Sequence, residues 1–210
     1  MKTKNFKCMR IFCLVLSILI TMASTSVQAA EPKYKYLGSY SEGSPIQKNR
    51  IEFQDRQLTY TGAEITPSFT VFYNYKMVNT ADYTYAFDNN IEIGTGSVVV
   101  TLENGEKITG DFYIVPEAPI LKEVQINKKN AVVSWTHGDE QIDGYIISYG
   151  DNVCMHDKKE IKVADPDKIR RIIKKLHSGC RLIVYVQTYK TVNGKDYRSS
   201  VSNVIYTNIP

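Results

Sequence analysis

Short runs of alternating apolar and polar residues begin at Ile51 and continue to the end of the chain. In the first half these runs are Leu58–Tyr60, Ser68–Tyr75, Tyr83–Phe87, Ser97–Leu102 and Asp111–Val115. Gly, Asn, Asp or Pro separates nearly every pair of runs, and the Asn104-Gly105 pair between two of them is a strong hairpin signal. The pattern therefore predicts a small all-β unit.

The second half repeats this pattern. Its predicted strands contain Val124 and Ile126, Val132–Trp135, Tyr145–Tyr149, Ile183–Thr188 and Tyr197–Tyr206. The Val192-Asn193-Gly194-Lys195 stretch predicts a type I′ turn. Two prolines in Pro116-Glu117-Ala118-Pro119 favour an extended connector with limited hinge freedom. We therefore expect two tandem β domains, 51–115 and 120–207, joined by a linker at 116–119.

The segment 165–176 allows two interpretations. Ile169, Ile172, Ile173 and Leu176 follow helical spacing, and Asp165-Pro166 is a good helix start. A basic amphipathic helix there would be suited to contact with anionic polymers. The alternative is a strand with one helical turn at Pro166, with the basic residues on a solvated face.

The first 29 residues have the features of a secretory signal peptide. Lys2, Lys4, Lys7 and Arg10 precede a short apolar core, Ile11–Met22, and Val27-Gln28-Ala29 offers a cleavage site. The apolar run is short for a membrane span. We therefore expect an exported chain whose segment 30–50, rich in Lys, Tyr, Ser, Gly and Pro, is an extended lead-in.

Removal of the signal peptide also removes the excess of positive charge. The whole chain has 26 basic and 22 acidic residues, a formal net charge of +4, and the four basic residues of the signal peptide account for that excess. The remaining chain is formally neutral, so its bulk charge gives no indication of nucleic acid binding or of an anionic membrane partner. The expected product has no membrane span.

Several motifs of the second half resemble a fibronectin type III domain over about Pro119 to Tyr206. They are Val132-Val133-Ser134-Trp135, Asp143–Tyr149, Leu176–Gly179, Val184–Tyr189 and the hairpin tip Val192–Lys195. The resemblance implies a β-sandwich of the immunoglobulin-like kind with Trp135 between its sheets. It also favours a strand in 165–176. One departure is Leu182, which stands where this family usually has the tyrosine of its tyrosine corner.

The first half is similar to the short immunoglobulin-like repeats of exported bacterial proteins over about 51–115. The shared motifs are Tyr60-Thr61-Gly62, Ile65-Thr66-Pro67, Asp82-Tyr83-Thr84, Asn89-Asn90 and Ile93–Gly96. Gly96 stands where alanine is usual in these repeats. The resemblance implies one divergent β-sandwich copy ahead of the second domain.

Cys154 and Cys180 are the two cysteines that remain after signal cleavage. In an exported chain, two thiols favour a disulfide, although two buried free thiols are the alternative. The fibronectin resemblance implies that Cys154 follows the third strand and Cys180 precedes a neighbouring one, which would bring them together. Such a bridge could replace the pinning role of the missing tyrosine corner.

Catalytic chemistry has little support in the sequence. His137, Asp139, Glu140 and Asp143 form the best cluster of metal-competent groups, but they share a polar turn and match no known ligand spacing. No nucleophile, base or phosphate-loop motif is present. We therefore expect neither an enzyme, nor a cofactor, nor a metal site.

The 15 tyrosines are the one compositional excess. Tyr73, Tyr75, Tyr83 and Tyr85 fall on predicted strands of the first domain, and exposed aromatic rings on a sheet commonly bind glycans or proteins. The alternative is that strands simply favour tyrosine.

These observations lead to a functional hypothesis: a non-catalytic, exported binding or spacer protein that acts at or outside the cell surface. Its partner is expected to be a protein or a glycan, and it would associate with the surface non-covalently. The second hypothesis is an accessory that aids an exported carbohydrate-active enzyme in trans. A planar row of exposed rings would favour a glycan partner.

Overall fold

The computed structural model describes residues 46–138, 141–150 and 158–210. In this part of the chain every regular element is a strand except one 3-10 turn, Thr80–Asp82, so the all-β prediction is confirmed. The strands form four sheets that belong to one compact unit, Pro45–Pro210. We call residues 50–115 the first lobe and residues 121–208 the second lobe. The predicted division into two independent domains stays a prediction.

The first lobe contains seven strands: β1 (Arg50–Phe53), β2 (Gln57–Thr59), β3 (Phe69–Tyr73), β4 (Lys76–Met77), β5 (Tyr83–Asp88), β6 (Gly94–Leu102) and β7 (Lys107–Val115). One sheet has the order β1-β3-β4, and the other has the order β2-β7-β6-β5. All pairs are antiparallel except β2 with β7, which are parallel. The short strand β1 was not among the predicted strands.

The core of the first lobe follows from strict alternation along β6. Residues of β6 are alternately buried and partly exposed, so Val98, Val100 and Leu102 all point toward Val71 of the other sheet. Gly96 lies on the same buried face, where a Cβ atom would come within 2.5 Å of the Phe112 ring. A side chain at this position would displace Phe112, which explains why glycine is needed there.

The two predicted hairpin turns are both present. Between β6 and β7, the Gly105 amide donates to the Leu102 carbonyl at 2.9 Å and Gly105 has a φ of 83°. Glycine adopts this left-handed conformation without a steric penalty. At the second turn, Asn193 and Gly194 have φ values of 51° and 78°, as a type I′ turn requires.

The second lobe contains eight strands: β8 (Leu121–Asn127), β9 (Asn130–Trp135), β10 (Gly144–Gly150), β11 (Lys159–Val163), β12 (Arg170–Ile173), β13 (Arg181–Val192), β14 (Lys195–Arg198) and β15 (Ile205–Asn208). One sheet has the order β12-β9-β8. The other has the order β11-β10-β13-β14, and β15 also pairs with β13. Strand β11 was missed by the sequence reading.

The core of the second lobe lies between these two sheets. Trp135, expected from the sequence as a core residue, is fully buried, and its ring centroid is 5.2 Å from that of Tyr145. Leu182, which replaces the tyrosine of the tyrosine corner, is also buried in this core. The alternation expected for β10 is incomplete, because Ile146 and Ser148 on its other face are buried as well.

The segment 165–176 contains strand β12 at Arg170–Ile173 and a turn at 166–167, and it contains no helix. Strand β12 pairs with β9, with Ile172 opposite Val132 and Ile173 opposite Ala131. Only Ile173 and Leu176 enter the core, whereas Ile169 and Ile172 are exposed. The helical spacing of the isoleucines is therefore coincidental, because two of them lie outside the core.

The predicted continuous strand Tyr197–Tyr206 is wrong, because it is interrupted between β14 and β15. Along the interruption, the hydroxyl of Ser199 accepts from the Thr188 amide at 3.1 Å and the hydroxyl of Ser202 accepts from the Val186 amide at 3.0 Å. These side chains compete with backbone carbonyls for the amides of β13, so the strand leaves regular geometry.

Candidate functional site

The first lobe exposes aromatic side chains at one open flank. Strand β5 is an edge of its sheet in the described part of the chain, because it pairs with β6 alone. Tyr83, Tyr85 and Phe87 alternate on its core-facing side, opposite Leu102, Val100 and Val98 of β6. The facing sheet ends in β4, which is only two residues long. Tyr85 points inward, yet it is 57% exposed.

Four rings meet at this flank, which we call the aromatic flank: Phe69, Tyr83, Tyr85 and Phe87. Phe69 comes from β3 of the facing sheet, and its ring centroid lies 5.3 Å from that of Tyr85 and 6.2 Å from that of Phe87. The centroids of Tyr85 and Phe87 are 5.5 Å apart. The planes of these three pairs are inclined by 72° to 88°, so the rings pack edge to face.

The flank is apolar. Asp82 and Asp88 are exposed just before β5 and at its end, and the alternation of β5 places Asp88 on the face opposite the rings. Burial raises the pKa of the Tyr83 phenol, and the neighbouring Tyr85 adds to this effect. Tyr83 is therefore a neutral hydroxyl group at physiological pH. Both tyrosines can contribute apolar ring surface and one polar atom each.

The other two predicted tyrosines lie elsewhere in the lobe. Tyr73 is at the end of β3, where the Asn104 side chain donates to its hydroxyl at 3.4 Å; a hydrogen bond with Glu106 raises the pKa of this phenol. Tyr75 is 66% exposed in the turn after β3, with a φ of 65°. The structure thus brings Tyr83 and Tyr85 together and leaves Tyr73 and Tyr75 outside the ring cluster.

Sequence reasoning missed Phe69 and Phe87 as members of this cluster. Phe87 could have been found, because it continues the alternation of Tyr83 and Tyr85 along one strand. Phe69 gave no such signal, because it joins the cluster from the other sheet and only the tertiary fold brings it there.

A second feature is the packed contact between the two lobes, which we call the joint. Tyr197 belongs to β14 of the second lobe, yet its ring is buried in a cluster with Ile93, Phe112 and Ile114 of the first lobe. Its hydroxyl lies 2.7 Å from the Thr95 hydroxyl. The connector at 116–119 is also bonded to the second lobe, because the Thr188 hydroxyl donates to the Glu117 carbonyl at 2.6 Å.

Cation–π contacts surround the joint. The Lys195 ammonium lies 4.4 Å from the centroid of the Tyr113 ring and 4.8 Å from that of Tyr197. The Arg56 guanidinium lies 5.7 Å from the Tyr113 centroid on the first lobe. Such contacts each stabilise by roughly 0.5–1 kcal/mol at exposed sites. Polar and apolar contacts together therefore connect the two lobes.

The metal-competent cluster is not assembled as a site in the described residues. His137 donates from Nδ1 to the Gly138 carbonyl at 2.6 Å, and its Nε2 lies 3.3 Å from Asp167. The hydrogen bond with the Gly138 carbonyl raises the pKa of His137, and the contact with Asp167 raises it further. Asp139 and Glu140 lie outside the described residues. Within residues 46–138, 141–150 and 158–210, no group of three or more His, Cys, Asp or Glu side chains could hold a metal.

Asp143 is used for structure. Its carboxylate accepts from the Lys190 ammonium and from the Thr191 amide, both at 2.8 Å. Partial burial acts to raise the pKa of this carboxyl, but the two donors outweigh it and hold the pKa below its ordinary value. Asp143 thus anchors the end of β13 beside the start of β10.

Cys180 is a half-buried cysteine just before β13, and it has no disulfide partner among the described residues. Its predicted partner Cys154 lies outside the described residues, so the disulfide stays a prediction. The thiol lines a cavity of about 50 Å³ together with Tyr149, Gly150 and Leu182. Gly150 ends β10 at this cavity, and the segment that contains Cys154 follows directly after it.

No helix in the described residues is long and apolar enough to cross a membrane. No family model matches the chain, and no curated protein matches it. One solved structure, described as "Myokine structure", is similar to part of this chain. The similarity covers 45% of this chain and 98% of the chain in that structure, with 21% sequence identity and a TM-score of 0.39. A likeness at this level carries no argument about function.

Proposed function

We propose that this chain is a non-catalytic, exported protein that holds two β-sandwich lobes in a fixed relation and binds a protein partner at or outside the cell surface. The observation that carries the binding role is the aromatic flank, where Tyr85 points inward yet remains largely exposed beside Phe69. The joint supports the spacing role, because a buried side chain and hydrogen bonds connect the lobes.

We further propose that the second lobe is a fibronectin type III domain and the first an immunoglobulin-like repeat. The sheet orders β12-β9-β8 and β11-β10-β13-β14 support the first part of this proposal, since its strands pair in the order that the resemblance implies. The buried Trp135 between the sheets is a second support. Such modules seldom carry catalytic residues, in keeping with a binding role.

The geometry of the flank favours a protein partner over a glycan. Sugar rings stack on flat aromatic surfaces, whereas the rings of the flank are inclined to one another by 37° to 88°. The flank borders an edge strand, whose outward amides and carbonyls can pair with an added strand. An extended peptide with apolar residues at alternate positions would cover Tyr85 while it extends the sheet. A basic residue on the opposite face of that peptide would lie beside Asp88.

The class of partner is tested by binding of the labelled chain from Ala30 to intact cells that produce it. We expect saturable binding that is lost after protease treatment of the cell surface and is not competed by purified wall polysaccharide. Binding that survives the protease and is competed by the polysaccharide would contradict a protein partner. No saturable binding would contradict attachment to the surface altogether.

A further inference from the structure

A concentration of basic side chains lies at the end of the second lobe that is opposite the joint. The β8–β9 turn, the segment after β12 and the starts of β11 and β13 all reach this end. They contribute six exposed side chains, which we call the basic end: Lys128, Lys129, Lys159, Lys174, Lys175 and Arg181.

Contacts in the fold bring these residues together. The Leu176 amide donates to the Lys129 carbonyl at 2.9 Å, which joins the β8–β9 turn to the segment after β12. Lys159, Lys174 and Lys175 line the same cavity of about 50 Å³, and His177 is beside them. Residues far apart in the chain therefore form one positively charged surface.

The charges of the basic end have no acidic partners among the described residues. Ion pairs of the second lobe use other basic side chains, among them Lys162, Lys190 and Arg198. Glu160, next to Lys159 in the chain, is already engaged by Lys158 at 2.9 Å and by Arg198 at 3.1 Å. Unpaired like charges in one place raise the local potential and attract anions.

The backbone adds a second observation. Lys128 and Lys175 have φ values of 53° and 60°, in the left-handed region that glycine or asparagine adopts at lower cost. Lysine at both positions therefore carries a conformational cost relative to glycine.

We infer that the basic end binds a linear polyanion, a polymer that carries phosphate groups at regular intervals. The cavity of about 50 Å³ is too small to enclose a ligand, so recognition takes place across the exposed surface. Exposed charges each bind a single ion weakly, but a polymer that contacts several of them releases many counterions. This surface is separate from the aromatic flank, and the inference does not depend on the proposed protein partner.

The test uses fluorescently labelled inorganic polyphosphate and the chain from Ala30, with dissociation constants measured over a series of NaCl concentrations. One variant replaces Lys129, Lys159 and Lys174 with glutamine. A matched variant replaces three exposed lysines outside the basic end, Lys76, Lys107 and Lys122, with glutamine and has the same net charge. Lys128 and Lys175 are left unchanged because of their backbone conformation.

We expect the first variant to bind polyphosphate about tenfold or more weakly. The slope of log Kd against the logarithm of the NaCl concentration should fall by about two to three. The matched variant should change the affinity less than about twofold. Equal losses in the two variants would overturn the inference, since net charge alone would then explain binding. Absence of salt-dependent binding, or binding to phosphatidylglycerol vesicles without binding to polyphosphate, would overturn it as well.

Discussion

Replacement of Tyr197 with alanine should uncouple the two lobes. The ring of Tyr197 originates in the second lobe but is only 8% exposed within a cluster of first-lobe residues. Its hydroxyl lies 2.7 Å from that of Thr95. The substitution removes the ring and the hydrogen bond from the joint, while both lobe cores, around Val98 and around Trp135, keep all their side chains.

The size of the effect follows from these contacts. Truncation of a buried aromatic side chain to alanine costs about 3–5 kcal/mol of unfolding free energy. Tyr197→Phe removes only the hydrogen bond and should cost about 0.5–1.5 kcal/mol. The difference between the two variants therefore isolates the contribution of the buried ring to the joint.

The single tryptophan of the chain makes this measurable. Trp135 is buried in the second lobe, so its fluorescence reports the unfolding of that lobe, whereas far-UV circular dichroism reports both lobes. In the parent chain we expect the two signals to change at the same urea concentration. In Tyr197→Ala they should separate, while Tyr206→Ala, which truncates a 55% exposed tyrosine, should keep them together.

Two results would refute this reasoning. If the two signals already separate in the parent chain, the joint does not couple the lobes. If Tyr197→Ala keeps coincident transitions and loses less than about 1 kcal/mol, the buried ring does not contribute the stability expected of a core side chain.

Three further predictions concern stability. Gly144→Ala should lower the free energy of unfolding, measured with urea, by about 2–4 kcal/mol. Gly144 has a φ of 148°, and a Cβ atom there would come within 2.0 Å of the Val163 carbonyl oxygen. An unchanged urea midpoint would contradict this prediction. Cys180→Ser should destabilise the oxidised chain by about 3.5 kcal/mol and the reduced chain far less if the predicted disulfide forms, whereas equal losses would argue against it. The lowered pKa of Asp143, beside Lys190, means that its stabilising effect is present above the unfolded-state pKa and is lost as pH falls through the folded-state pKa. Asp143→Asn should therefore flatten the acid side of the stability–pH curve, and an unaltered curve would refute the assignment.

Strict alternation of side chains made some strands predictable from the sequence. Strand β6 is an example, because each second residue enters the core and the pattern is visible without the fold. Strand β11 was missed, since only Ile161 and Val163 are apolar in it. The break between β14 and β15 was missed because it depends on the hydroxyls of Ser199 and Ser202, which bond to the partner strand β13.

The candidate sites were less accessible to sequence reasoning. Tyr83 and Tyr85 were singled out correctly as strand residues, but the exposure of Tyr85 depends on how the facing sheet covers β5, which only the tertiary fold determines. The basic end depends on a turn and a segment far apart in the chain, joined by the contact of Leu176 with Lys129. Such features arise from tertiary structure and leave no local pattern.

The measurement that tests the central claim most directly compares two tyrosine variants in binding to intact producing cells. Tyr85 and Tyr206 are 57% and 55% exposed, so serine at either position removes a ring of similar accessibility. If the aromatic flank binds the partner, Tyr85→Ser should weaken saturable binding by about tenfold or more, the loss expected of a central aromatic contact, and Tyr206→Ser should leave it unchanged. Equal binding by the two variants and the parent chain would contradict the account.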